Sequence, residues 1–157
     1  MEGCVPKTRE QEKERRFPVL LRTAWFALNK TFRERLRDTD LTPVQFTALR
    51  WLAEREQGSL SQKDLAELTA TNSNNVVDLV DRLEAKGWTR REKDAGDARR
   101  NVLWLMEAGR ETYERARSNA LVLQREVLAA VLDEECEHFL SLLARINENL
   151  DPENKLS

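Results

Sequence analysis

Hydrophobic residues recur along most of this chain at three- and four-residue steps, the spacing of one helix face. Phe17, Leu20, Leu21, Ala24, Leu28 and Phe32 predict a first helix over about 17–37. The preceding charged stretch, 1–16, has no such stripe and reads as a flexible arm. The second helix has a sharp start: Thr42-Pro43-Val44-Gln45 offers a hydroxyl at N-cap, proline at N1 and glutamine at N3. Phe46, Leu49, Leu52 and Ala53 face inward from it, and Gln57-Gly58 ends it. Ser61 and Asp64 form a second capping pair ahead of Leu65, Ala66 and Leu68. Thr69-Ala70-Thr71 makes a turn, and a fourth helix over about 72–86 stops at Gly87. Residues 88–91 and 101–105 read as antiparallel strands with Gly96 in the loop between them. Tyr113, Ala116, Ala120, Leu123, Val127 and Val131 mark a fifth helix over about 108–132. Cys136, Phe139, Leu140, Leu143, Ile146 and Leu150 mark a sixth over about 134–150.

This order predicts a mainly α fold with a small β-hairpin wing. A winged helix-turn-helix lobe over about 41–106 lies between terminal helices, about 17–37 and 108–150, that can pack together as a dimerisation region. With 157 residues, one domain over 17–157 is expected.

The fourth helix carries the first functional signal. Val76, Leu79, Val80 and Leu83 sit at i, i+3, i+4 and i+7 and bury one side. The other side presents Ser73, Asn74, Asn75, Asp78 and Arg82. Asparagine pairs with adenine in the major groove, aspartate accepts from cytosine N4, and arginine grips phosphate or guanine. Val77, at the flank, can touch a thymine methyl. Alone, such a face is as well explained by ordinary solvation. The short preceding helix, opening Ser61-Gln62-Lys63, and the basic hairpin after it favour DNA. In that hairpin, Asp97 can brace Arg99 for the minor groove, while Arg91 and Arg100 are placed to meet phosphates.

Charge distribution sharpens this picture. The net charge of −2 argues against indiscriminate coating of nucleic acid. Yet 90–100 carries Arg90, Arg91, Lys93, Arg99 and Arg100 against three acids, while 126–153 is acidic with Arg145 as its one cation. No window approaches the roughly 18 apolar residues of a membrane span, and the N-terminus lacks a signal-peptide pattern. A cytoplasmic protein is expected. Cys4 and Cys136 are then free thiols.

The chain resembles the MarR (multiple antibiotic resistance regulator) family. The resemblance runs through Leu41-Thr42-Pro43-Val44-Gln45-Phe46 with Leu49 and Leu52, and Leu65-Ala66. It continues over Val80-Asp81-Arg82-Leu83-Glu84-Ala85-Lys86-Gly87-Trp88, Arg90-Arg91, Asp94, Asp97-Ala98-Arg99-Arg100, Leu105 and Gly109. It implies a homodimer on a pseudo-palindromic double-stranded operator, with the fourth helix in the major groove and the wing arginine in the minor groove. It also implies repression, and release by a small aromatic effector between the dimer helices and the DNA-binding lobe. Trp25, Trp51 and Tyr113 fall on helices of that cleft, although core or interface roles fit them equally. One departure is the start of the fifth helix, Leu105-Met106-Glu107-Ala108-Gly109, where the family's hydroxyl cap is missing.

Other functions have less beneath them. His138, the only histidine, lies roughly 200° around a helix from Cys136, so the two form no local nucleophile–base pair. No zinc-ligand spacing and no phosphate-cradling glycine loop occur, so an enzyme, a metal and a cofactor are not expected. A cysteine-based redox sensor stays open, as does a winged-helix protein-interaction module that binds no DNA.

Overall fold

Local capping and apolar spacing produce six α-helices and one two-stranded sheet in the computed structural model, which describes residues 9–97 and 99–150. Helix α1 spans Arg9–Arg35, α2 Pro43–Glu54, α3 Gln62–Leu68 and α4 Ser73–Ala85. Strands β1, Thr89–Lys93, and β2, Asn101–Leu105, follow; α5, Glu107–Leu128, and α6, Asp133–Leu150, complete the described residues. This is the expected mainly α fold with a β-hairpin wing.

The stretch 9–16, expected to be arm, continues α1 instead. Glu10 and Glu12 stand in its first turn, where the helix's positive end favours acids. Cys4 lies outside the described residues. Helix α5 ends at Leu128, four residues short of the expected 132.

Both capping boxes form. In α2, the Gln45 N–H donates to Thr42 Oγ1 at 3.3 Å and the Thr42 N–H to Gln45 Oε1 at 3.0 Å. In α3, the Asp64 N–H donates to Ser61 Oγ at 3.1 Å and the Ser61 N–H to Asp64 Oδ2 at 2.8 Å. Such caps contribute about 1 kcal/mol each. Gly87, at φ 68°, takes the left-handed geometry that ends α4 and sends the chain into β1.

The hairpin pairs Thr89 with Leu105 and Lys93 with Asn101. Ser61 adds a bridge to Val102, and the Leu103 N–H donates to the Leu60 carbonyl at 2.8 Å. The wing is therefore stitched to the chain just ahead of α3.

The core lies under this lobe. Leu36, Leu49, Leu65, Val80, Leu83 and Leu103 are fully buried, each contributing about 1.5–3 kcal/mol of transfer free energy. The Phe46 ring meets Phe32 edge-on at 5.2 Å and lies 5.4 Å from Tyr113, so α2 joins α1 and α5 to the lobe. Arg35 and Glu126 pair at 2.8 Å between α1 and α5.

The terminal helices behave differently. Helix α6 has no buried residue. Phe17, Trp25 and Phe26 of α1 and Phe139, Leu140 and Ile146 of α6 are exposed. Their apolar stripes exceed what a monomer ordinarily leaves uncovered. No helix of the described residues is long and apolar enough to cross a membrane.

One glycine holds the lobe to α5. Met106, the N-cap of α5, makes no side-chain cap bond, as its missing hydroxyl predicts. Its N–H instead donates to the Trp88 carbonyl at 2.9 Å. Gly109 packs on that same carbonyl. A Cβ there would stand inside van der Waals contact with the Trp88 oxygen and 2.9 Å from Leu105 Cδ1. Gly109→Ala is expected to cost about 1–3 kcal/mol through overpacking against backbone. Thermal melts at fixed protein concentration measure this, and an unchanged midpoint would contradict the packing.

Candidate nucleic-acid interface

The burial of Val76, Leu79, Val80 and Leu83 fixes which side of α4 faces out. Asn72 caps this helix, its Oδ1 accepting from the Asn75 N–H at 2.9 Å. The Asn75 backbone is thereby satisfied, while its side chain stays at the surface. Asn74, Asp78 and Arg82 are exposed too; the side chain of Ser73 lies outside the described residues.

Two clefts flank α4. The larger, about 600 Å³, runs between α3, α4 and the wing, and is lined by Ser61, Gln62, Lys63, Val77, Asp97, Arg99 and Arg100 among others. The smaller, about 270 Å³, lies on the α2 side and is lined by Thr42, Gln45, Asn75, Asp78 and Arg82 among others. The expected contact residues thus divide between the two sides of one helix. Val77, 43% exposed, offers an apolar contact on the wing side.

The wing departs from expectation at three arginines. Asp97 does not hold the Arg99 guanidinium; its Oδ1 accepts from the Arg99 backbone N–H at 2.9 Å. A short aspartate reaches the backbone two residues on more readily than a long side chain's tip. Arg99 is exposed and has no ion pair among the described residues. Ala98, between them, lies outside the described residues.

Arg100, expected on a phosphate, stays exposed but is paired with carboxylates of this chain. Its Nη2 lies 2.9 Å from Asp64 Oδ2 and donates to the Ser59 carbonyl at 3.1 Å, while Nη1 lies 3.3 Å from Asp94 Oδ2. Arg91 is likewise committed. Its Nε donates to Glu84 Oε2 at 2.8 Å, its N–H to Glu84 Oε1 at 2.6 Å, and its Nη2 to Asp81. These arginines fasten the wing to α3 and α4; internal carboxylates take the place the phosphates were expected to hold.

This geometry shifts the proton affinities of the paired groups. The Glu84 hydrogen bond holds the Arg91 guanidinium above its ordinary value, against the opposing effect of burial. Asp94 sits below the usual carboxylate range, chiefly because the Gly96 N–H donates to it. Burial pushes Asp64 up, but hydrogen bonds from Ser61 and the Arg100 guanidinium outweigh it and leave the carboxyl lowered.

Trp25, Trp51 and Tyr113 differ in burial. Tyr113 is buried against Phe46, and burial raises its hydroxyl. Trp51 is half-buried, with the Arg50 and Arg55 guanidinium groups each 5.5 Å from its ring. Trp25 is 66% exposed. None of the three lines either cleft. Cys136 is half-buried and His138 exposed on α6.

Comparison with known proteins places this geometry in context. A sequence model described as the MarR family matches residues 39–100. The transcriptional regulator HosA of Escherichia coli is 29% identical over 107 residues, 68% of this chain and 78% of HosA. The uncharacterized HTH-type transcriptional regulator YdcH of Bacillus subtilis is 32% identical over 114 residues, 71% of this chain and 76% of YdcH. Among solved structures, Sco3205 of Streptomyces coelicolor, a MarR family transcriptional regulator in complex with DNA, superposes with a TM-score of 0.83 at 25% identity. That superposition covers 96% of this chain and 97% of Sco3205.

Asp64 serves both the α3 cap and the wing, so its titration should be visible in stability. A carboxyl lowered on folding contributes stability that is complete above its ordinary value, 3.8, and is lost as pH falls through the lower folded value. Asp64→Asn should therefore be less stable than the parent at neutral pH. The gap should close as pH falls below the carboxyl's ordinary value and through its lower folded one. Parallel pH profiles of the two melting midpoints would contradict the shared carboxylate.

Proposed function

The chain belongs to the MarR family of transcriptional regulators, and from that premise we propose that two copies bind one pseudo-palindromic operator and repress transcription from it. The observation that carries this reading is the groove between α3, α4 and the wing. Lys63 of α3, Val77 of α4 and a wing Arg99 without an ion pair among the described residues line it, while Asn75, Asp78 and Arg82 line the cleft on the other side of α4. A helix of α4's diameter fits the major groove, and a lone extended arginine fits the narrow minor groove beside it. Sco3205, the similar protein solved with DNA, supports the same use of the lobe.

The dimer follows from the uncovered stripes of α1 and α6. A second copy buries them and sets two α4 helices one helical turn of DNA apart, the spacing a two-fold operator requires. The protein-interaction alternative has no use for an exposed wing arginine, since Arg91 and Arg100 already give the hairpin its rigidity. Release by a small aromatic effector is the finer part of the proposal. Of the three candidate aromatics, Tyr113 is enclosed by the core, whereas Trp51 is half-buried and Trp25 exposed.

Two measurements test this. Sedimentation at micromolar concentration should give twice the 18.3 kDa chain mass; a clean monomer would sink the dimer. Arg99→Ala should weaken operator binding by about 1–3 kcal/mol with the melting midpoint unchanged, because an exposed wing side chain supports no core. Equal affinity of parent and variant at matched salt would remove the wing from the interface and favour the interaction-module reading.

A further inference from the structure

Helix α4 carries an unusual charge balance for a surface that approaches phosphates. Beyond its first turn it holds Asp78, Asp81, Arg82 and Glu84. Asp81 and Glu84 are both occupied by Arg91. Asp78 is exposed and has no ion pair and no side-chain hydrogen bond among the described residues, although Arg82 lies one turn further along. Asn75, Asp78 and Arg82 line the same cleft on successive turns, with Asp78 in the middle. A free carboxylate therefore stands at the centre of the outward face, between an amide and a cation.

Building on the regulator function above, we propose that Asp78 determines specificity by exclusion. A carboxylate carried into the major groove loses water and meets the field of two phosphate rows, which costs free energy on every sequence. Only a base amine repays that cost. Guanine shows O6 and N7 acceptors and thymine an O4 acceptor, all of which oppose a second acceptor. Cytosine shows the N4 amine and no acceptor of its own, the nearest being O6 of the paired guanine, and adenine carries an N7 acceptor on the same base as its N6 amine. Asp78 thus requires cytosine at its position and lowers affinity for everything else.

The wing strengthens this effect. Arg91 and Arg100 are held by internal carboxylates, so they do not supply indiscriminate phosphate attraction to mask the penalty. Lys63, Arg82 and Arg99 remain as exposed cations around the two clefts. A short set of attractive charges leaves one misplaced negative charge able to decide between sites.

The test uses the full chain, Asp78→Ala and Asp78→Asn. Each is put through selection from a random duplex pool, and its affinity for an unrelated duplex is measured by anisotropy at one salt concentration. The parent should enrich a site with a fixed C·G pair in each half. Asp78→Ala should lose preference at that pair alone and bind the unrelated duplex about three- to tenfold tighter. Asp78→Asn should move the preference at that pair toward A·T, because an amide matches adenine N6 and N7. A parental consensus that survives Asp78→Ala intact, with unrelated DNA bound no tighter, would overturn the role of Asp78 while leaving the regulator function standing. A parent that enriches no consensus at all would overturn both.

Discussion

The burial of four side chains on α4 sets everything the outer surface presents. Val76, Leu79, Val80 and Leu83 sit in the core, and this fixes the rotation of the helix about its axis. With roughly 100° between successive residues, Asn75, Asp78 and Arg82 then have to face the α2 side and Val77 the wing side. A rotation by one residue would turn Asp78 into the apolar core, an unpaired buried charge. The reading surface is thus specified by packing, and polar substitutions on it leave that packing untouched.

Rigidity of the wing has a different origin. Counted from sequence, the hairpin offers four arginines and a lysine. Arg91 is held by Glu84 and Asp81, Arg100 by Asp64 and Asp94, and Arg90 by Glu92 at 2.6 Å. Arg99 is the wing arginine without an ion pair among the described residues. Two of these cations tie a two-stranded ribbon, which is marginal by itself, to the helices that read the groove. The shared Asp64 carboxylate extends this logic, because the group that caps α3 also anchors Arg100. Helix α3 and the wing consequently move as one piece.

What the sequence revealed and what it hid divide along sequence distance. The caps at Thr42 and Ser61, the stripe of α4 and the paired strands all depend on residues near each other in sequence; the caps and the stripe formed as read, and the first strand runs Thr89–Lys93 rather than 88–91. Helix α1 starts before its apolar stripe, so residues 9–16 gave no periodic signal. Arg100 and Asp64 are 36 positions apart, and no spacing rule connects them. Asp97 was legible as a partner of Arg99 but not as a partner of its backbone, because either bond satisfies the same short motif. Trp25 and Tyr113 looked alike as aromatics on terminal helices. One is exposed and the other buried, since only Tyr113 falls opposite Phe46.

Overall acidity and DNA binding are compatible once charge is counted where it is free. A net charge of −2 supplies little long-range attraction, and much of the basic middle is internally neutralised. The acids at the start of α6, Asp133, Glu134 and Glu135, stand in that helix's first turn, where they complement its positive end. They therefore stabilise the start of that helix. Affinity on such a protein has to come from well-placed contacts more than from charge. That places the burden on Arg99, whose backbone N–H donates to Asp97, and on the α4 face, whose rotation the core fixes.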